Sequence, residues 1–222
     1  MSEMKSDYRL PERLQAVADL VPPCNCLHDV GTDHAWLPIA LMLAERCRRA
    51  LAIDMNAGPL QAATRNVLTA GLACCIQIIQ TDGLKNINLG TDDVVVIAGL
   101  GGLEMIRILQ EQPRRCKSIV LQPMKSAPEL RTWLTENGYI IEKEALVCEP
   151  KRYYPVISCR YTGVQTVLSP LERYVGPCLI ESRPSGYRGY LAWLRQRLKK
   201  QIRGAPELAC VIRGIEKIFM SL

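Results

Sequence analysis

The chain has 222 residues, 48% of them hydrophobic, a mean hydropathy near zero and a net charge of +6. That length accommodates one sizeable core plus a small appendage. A polar opening segment and the lack of any membrane-length apolar run exclude a spanning protein and lead us to expect a cytoplasmic one. The ten cysteines are scattered without a Cys-x-x-Cys pair, as fits small buried thiols in a reducing compartment rather than a disulfide framework. Cys24, Cys26 and His28 are close in sequence, but no fourth ligand is evident, and no metal is expected.

In chain order, Leu10, Leu14, Val17 and Val21 recur at helical spacing until Pro22-Pro23 stops the run. Arg9 and Arg13 on that helix are candidates to face a substrate. Residues 26–30 read as a buried strand that ends in Gly31 and opens a helix over residues 36–47, with Pro38 tolerated in its first turn. Residues 50–54 read as a second strand ending in Asp54, 23 residues past Gly31. This is a βαβ unit, whose first turn brings backbone N–H groups to a ligand and whose later acid takes ribose hydroxyls.

The unit binds an adenosine-containing cofactor, and the turn decides which. A dinucleotide site needs Gly-x-Gly-x-x-Gly, whereas here Gly31 is followed by Thr32, Asp33, His34 and Ala35. Acids at Asp29 and Asp33 repel a pyrophosphate and suit a cation. S-adenosylmethionine, with its sulfonium and amino group, is therefore favoured over NAD. In a plainer reading Asp33 and His34 only cap the next helix.

Farther on, Gly58-Pro59 and Gly71 punctuate a helix, and residues 76–80 form a strand leading to Asp82-Gly83. Residues 93–98 form a strand, uniformly apolar after Asp93, that runs into Gly99-Leu100-Gly101-Gly102 and a helix over 103–112. A strand at 118–123, a helix at 128–137 and strands at 139–147 and 154–161 follow. The last two lie too close for a crossover and must pair antiparallel. The expected fold is α/β, a Rossmann-like, mostly parallel sheet with helices on both faces and a terminal antiparallel hairpin. Gly31, Asp54, Asp82 and Gly99 all follow strand ends, where ligands of such sheets bind.

Residues 164–222 are helical in pattern, and this segment is taken as a separate helical unit from residues 1–163. Tyr190, Leu191, Leu194, Leu198 and Ile202 make one stripe, and Leu208, Val211, Ile212, Ile215, Ile218 and Phe219 a second, as in an antiparallel helical hairpin. Residues 1–163 hold 18 basic and 18 acidic residues, and residues 164–222 hold 10 and 4. All of the surplus charge lies in the tail, which suggests a polyanionic partner, although a solvated helix face accounts for it equally well.

Several stretches together resemble the bacterial tRNA (adenine(22)-N(1))-methyltransferase family. They are Asp29-Val30-Gly31-Thr32-Asp33-His34-Ala35, Asp54-Met55-Asn56-Ala57-Gly58-Pro59-Leu60, Asp82-Gly83-Leu84, Ile97-Ala98-Gly99-Leu100-Gly101-Gly102 and Leu121-Gln122-Pro123. Gly176-Pro177 and the closing helices extend the resemblance over nearly the whole chain. Met124 stands where many relatives have asparagine.

The resemblance implies a class I methyltransferase with a C-terminal coiled-coil-type domain, S-adenosylmethionine as cofactor and tRNA as partner. It places the methionine part of the cofactor at the turn of Asp29, Gly31, Thr32, Asp33 and His34. The ribose falls to Asp54, an adenine face to Met55, the adenine edge to Asp82 and Gly83, and the methyl-transfer position to Ala98 and Gly99.

Attack by adenine N1 needs no deprotonation, since the lone pair lies in the ring plane, but it leaves a cationic ring. Asp33 is expected to bias that charge, His34 to orient the base, and Gly99 to leave room for it. Candidate RNA contacts are Arg9, Arg13, Lys151, Arg152, Tyr153, Tyr154, Arg195, Lys199, Lys200 and Arg203. For the tyrosines, ordinary strand packing is the competing reading. A monomer is expected, with a weak dimer as the alternative. Other readings are a methyltransferase for another RNA, a protein or a small molecule, and a non-catalytic RNA-binding module.

Overall fold

The computed structural model describes residues 9–111, 114–150, 152–202 and 204–221. Seven strands form one sheet in the order β3-β2-β1-β4-β5-β7-β6. The parallel strands are β1 (Cys24–Val30), β2 (Cys47–Asp54), β3 (Ile76–Gln80), β4 (Val94–Ala98) and β5 (Ser118–Gln122). β7 (Arg152–Tyr161) runs antiparallel to both β5 and β6 (Tyr139–Glu149). The apolar run Val94 to Ile97 is wholly buried, as a central strand covered on both faces requires.

Helices α2 (Trp36–Leu43), α3 (Ala57–Thr69), α4 (Gly102–Leu109) and α5 (Ala127–Glu136) connect the strands, and α1 (Glu12–Leu20) precedes them. Two apolar clusters result: one collects Val17, Ile39, Ala63 and Val96, the other Met105, Leu109, Leu130 and Ile119.

One expected boundary is wrong. The helix after the first turn ends at Leu43 rather than near residue 47, and Cys47 opens β2. Glu45 takes a left-handed backbone, φ 57°, and reverses the chain without glycine or proline, so nothing punctuates the turn in the sequence. Lesser shifts move the start of β1 back to Cys24 and extend both hairpin strands toward their shared turn.

Beyond the sheet lie α6 (Pro170–Val175), α7 (Pro177–Ser182), α8 (Tyr187–Gln201) and α9 (Leu208–Met220). Ser169 and Glu172 form a reciprocal capping box at the start of α6. Gly176, at φ 109°, and Pro177 separate α6 from α7. Both apolar stripes of α8 and α9 enter a third cluster with Val175 and Leu179, against which Leu146 and Tyr153 of the hairpin pack.

Candidate active site and RNA face

Chain order reverses between β1 and β4, which lie side by side with Val30 opposite Ile97. A crevice at the carboxyl ends of such a pair is where doubly wound sheets bind ligands. Gly31 follows β1 and Gly99 follows β4, with φ of 81° and 79°. A Cβ on Gly31 would touch Leu100 at 3.4 Å, so the two turns abut, while one on Gly99 would meet nothing within 4 Å. Gly31 N–H and Thr32 N–H both donate to Ile53 O, and Thr81 N–H donates to Asp54 O. All four expected turns therefore come together at one end of the sheet.

The acids behave differently from one another. Asp29 is buried, and desolvation raises its pKa to about 6, opposed by a hydrogen bond from Thr32 and aided by the charge of Asp54. A buried carboxylate without a cation is the feature a cationic ligand group would relieve. Asp54 Oδ1 accepts from Asn56 N–H at 2.7 Å, which fixes the carboxylate at the strand end. Asp82 is held down to about 2, chiefly by Arg107 and then by Lys85. Both carboxylate oxygens of Asp82 are already contacted by these cations. Met55 is 59% exposed beside Asp54.

Asp33 and His34 do not cap α2. Ala35 holds the N-cap position, and Thr32 Oγ1 accepts its N–H at 3.2 Å. Asp33 instead meets His34 Nε2 at 3.2 Å in an exposed pair, and the His34 ring stacks on Trp36 with centroids 4.9 Å apart. Ala98 ends β4 and leads directly into Gly99, whose N–H donates to both the backbone oxygen and Oε1 of Gln122, each at 3.1 Å. Gln122 is fully buried, and although Leu121-Gln122-Pro123 is one of the stretches behind the resemblance, it is not among the expected site residues. Its adjacency to Gly99 depends on the β4–β5 register, which sequence does not display.

A second titratable cluster lies away from the crevice, toward the amino ends of the strands. Ligand atoms of Cys26, His28 and Asp93 fall within 4.8 Å of one another, all buried. Burial lowers the His28 pKa against the pull of Asp93, whose carboxylate lies 3.1 Å from Nε2. Arg49 beside Cys26 disfavours a cation there.

Of the candidate RNA residues, Lys151 and Arg203 lie outside the described residues. Arg9 is exposed, while Arg13 packs over the Tyr154 ring and donates to Met124 Sδ. Tyr154 is only 5% exposed, so its ring packs in the strand and is not open to a base. Tyr153 is half-buried and Arg152 exposed. Arg195 and Lys199 turn toward Glu216 of α9, at 3.9 and 3.6 Å, while Lys200 stays exposed. Two residues outside the expected RNA set, Trp193 and Arg197, lie together, the guanidinium 4.7 Å from the indole centroid.

Residues 10–157 match a family model described as "Methyltransferase domain". The chain is 31% identical over 188 residues to the tRNA (adenine(22)-N(1))-methyltransferase of Bacillus subtilis, which covers 80% of this chain and 78% of that protein. It belongs to the tRNA (adenine(22)-N(1))-methyltransferase family. Solved structures agree over nearly the whole chain. Streptococcus pneumoniae Sp1610 in complex with S-adenosyl-L-methionine has a TM-score of 0.85 at 30% identity, covering 95% of this chain and 99% of that one. TrmK of M. capricolum with S-adenosyl-homocysteine has a TM-score of 0.79 at 29% identity, covering 96% and 97%. Among the described residues, no helix is long and apolar enough to cross a membrane.

Proposed function

We propose that this chain transfers a methyl group from S-adenosylmethionine to N1 of adenine 22 in tRNA, acting in the cytoplasm as a monomer. The observation that carries the reading is the crevice itself: an electronegative turn with buried Asp29 on one wall and the open Gly99 turn on the other. The activity of the Bacillus subtilis relative, a tRNA (adenine(22)-N(1))-methyltransferase, supports the nucleotide assigned.

The residues present fit this cofactor. Asp29 offers negative charge to its cationic end, Asp54 a fixed carboxylate to the ribose, and Met55 an exposed face to the adenine. Bound there, S-adenosylmethionine supplies an electrophilic methyl on sulfonium. The chain's task is alignment: it extracts the target base, holds N1 in line with the methyl and tolerates a cationic ring. Gly99 and Ala98 border the base, with Gln122 holding the Gly99 turn in place as a positioning residue. Asp33 and its partner His34 stand at the rim, where their charge can bias the product cation. No general base is required, because N1 carries no proton to remove. Residues 1–163 supply this chemistry, and residues 164–222, with the hairpin turn, supply the RNA surface.

Incubation with methyl-labelled cofactor and unmodified tRNA, followed by digestion to nucleosides, tests the proposal. 1-Methyladenosine is the expected labelled product. Label in protein, or in another nucleoside, would reject it.

A further inference from the structure

Beside the crevice lies a cleft of about 600 Å³ between the β5–α5 connection, the first residues of β7 and one face of α8. β7 runs antiparallel to β5, with Leu121 opposite Ile157, so Arg152 and Tyr153 emerge at the same sheet end as Gly99. The cleft wall is tied to the methyl-transfer turn: Met124 N–H donates to Leu100 O at 2.8 Å, and Gly102 N–H to Lys125 O at 2.9 Å. Two strand spacings, roughly 10 Å, separate β4 from β7. A nucleotide next in sequence to the target base falls within that reach.

The lining has the chemistry of an unpaired nucleotide's surroundings. Trp193 carries the Arg197 guanidinium on its ring at 4.7 Å and packs with Tyr153 at 5.8 Å. Lys125, Arg152 and Arg197 outnumber the one carboxylate, Glu129. Gly189 lets α8 close on the hairpin, since any side chain there would strike Tyr153 Oη. Guanidinium and aromatic planes hold splayed bases, and flanking cations hold their phosphates. An apolar peptide would leave three cations unmatched, and a small anion would leave the aromatic rings unused.

We infer that this cleft is a second nucleotide site, which holds an unpaired base neighbouring the target adenosine against the Trp193–Arg197 pair. The inference rests on the proposed RNA substrate and names the subsite by which that RNA is held. Lys125 and Arg152 meet the flanking phosphates, and the captured neighbour adds affinity for the RNA without touching the target base.

The test compares full-length wild type with Trp193→Ala, Trp193→Phe and Arg197→Glu. It reads KM and kcat for tRNA, cofactor affinity by calorimetry, and anisotropy of a labelled RNA hairpin bearing an unpaired loop. Loss of one stacked base raises the tRNA KM and weakens hairpin binding by about 5- to 150-fold in Trp193→Ala, with kcat and cofactor affinity nearly unchanged. Trp193→Phe recovers most of the loss. Should Trp193→Ala fail to fold, exposed Arg197→Glu decides the matter by weakened hairpin binding with cofactor affinity intact. Unchanged KM and hairpin affinity in the folded variants overturn the inference, as does a Trp193→Ala defect confined to cofactor binding. A wild type that binds the hairpin through Trp193 yet leaves tRNA unmethylated would instead reject the proposed reaction and keep the subsite.

Discussion

Arg131 and Glu144 form an ion pair with neither side chain exposed, Nε to Oε1 at 2.8 Å. Two further polar atoms of the pair reach into the tail: Arg131 Nη1 donates to Arg173 O, and Glu144 Oε2 accepts from Cys178 N–H at the start of α7. A Cβ on Gly176 would collide with both partners. One buried pair thus joins α5 and β6 of the sheet to α6 and α7. Removing one partner leaves the other charge uncompensated, at a cost of about 3–5 kcal/mol. Urea titration of Arg131→Met is expected to show a loss of that size, with faster amide exchange in α6 and α7. Wild-type stability and exchange would mean the tail is held by its apolar contacts alone.

Asp29 couples cofactor binding to pH. Its folded pKa is raised to about 6 by burial, so the carboxyl favours the folded, ligand-free protein most below its unfolded value of 3.8, and that contribution is lost as pH rises through 6. A cationic ligand needs the ionised form. Cofactor affinity is expected to fall below pH 6, approaching about tenfold per pH unit, with proton release on binding near that pH. Calorimetry in buffers of different ionisation enthalpy reads the proton directly. Asp29→Asn should abolish the dependence, and a slope that survives in that variant would assign it elsewhere.

Gly99 separates chemistry from cofactor binding. An added side chain leaves toward open space, though φ 79° imposes backbone strain of about 1–2 kcal/mol. In Gly99→Leu, turnover should fall at least about a hundredfold, as expected when the near-attack geometry is blocked, while cofactor affinity is retained. Parallel losses in turnover and affinity would place Gly99 under the cofactor rather than under the base.

Lys200 and Arg152 report on phosphate binding more cleanly than Lys199, which already faces Glu216. Each charge reversal should weaken tRNA binding and flatten the logarithmic salt dependence by about 0.7–0.9 for every phosphate no longer neutralised. Filter binding across a salt series measures it. If the slope does not move in either variant, the RNA lies on another face.

Much of this was legible in the sequence because strand ends and turns carry local signals. The strand at Ile76–Gln80, the apolar Val94–Ala98 and the glycines at 31 and 99 announce themselves by run length and punctuation. What stayed hidden depends on packing between distant segments. Glu45 makes a turn that its residue type does not advertise. Arg131 lies beside inward-facing Leu130 on an otherwise ordinary helix, and nothing in the sequence pairs it with Glu144. Tyr154 and Trp193 are both aromatic residues among core-spaced neighbours, yet Tyr154 is buried in its strand beneath Arg13 while half-buried Trp193 carries Arg197. Only the register of β5 with β7 and the docking of α8 separate their roles.

The central claim is that the in-plane lone pair of one adenine N1 receives the methyl group at the β1–β4 crevice. Its most direct test is a tRNA identical to the substrate except that adenine 22 is replaced by 1-deazaadenine, which keeps the shape and the amino group but lacks the nucleophile. The account predicts methyl incorporation into the unmodified transcript and none into the analogue, with both RNAs binding comparably. Methyl transfer to the analogue at the rate of the natural base would contradict it.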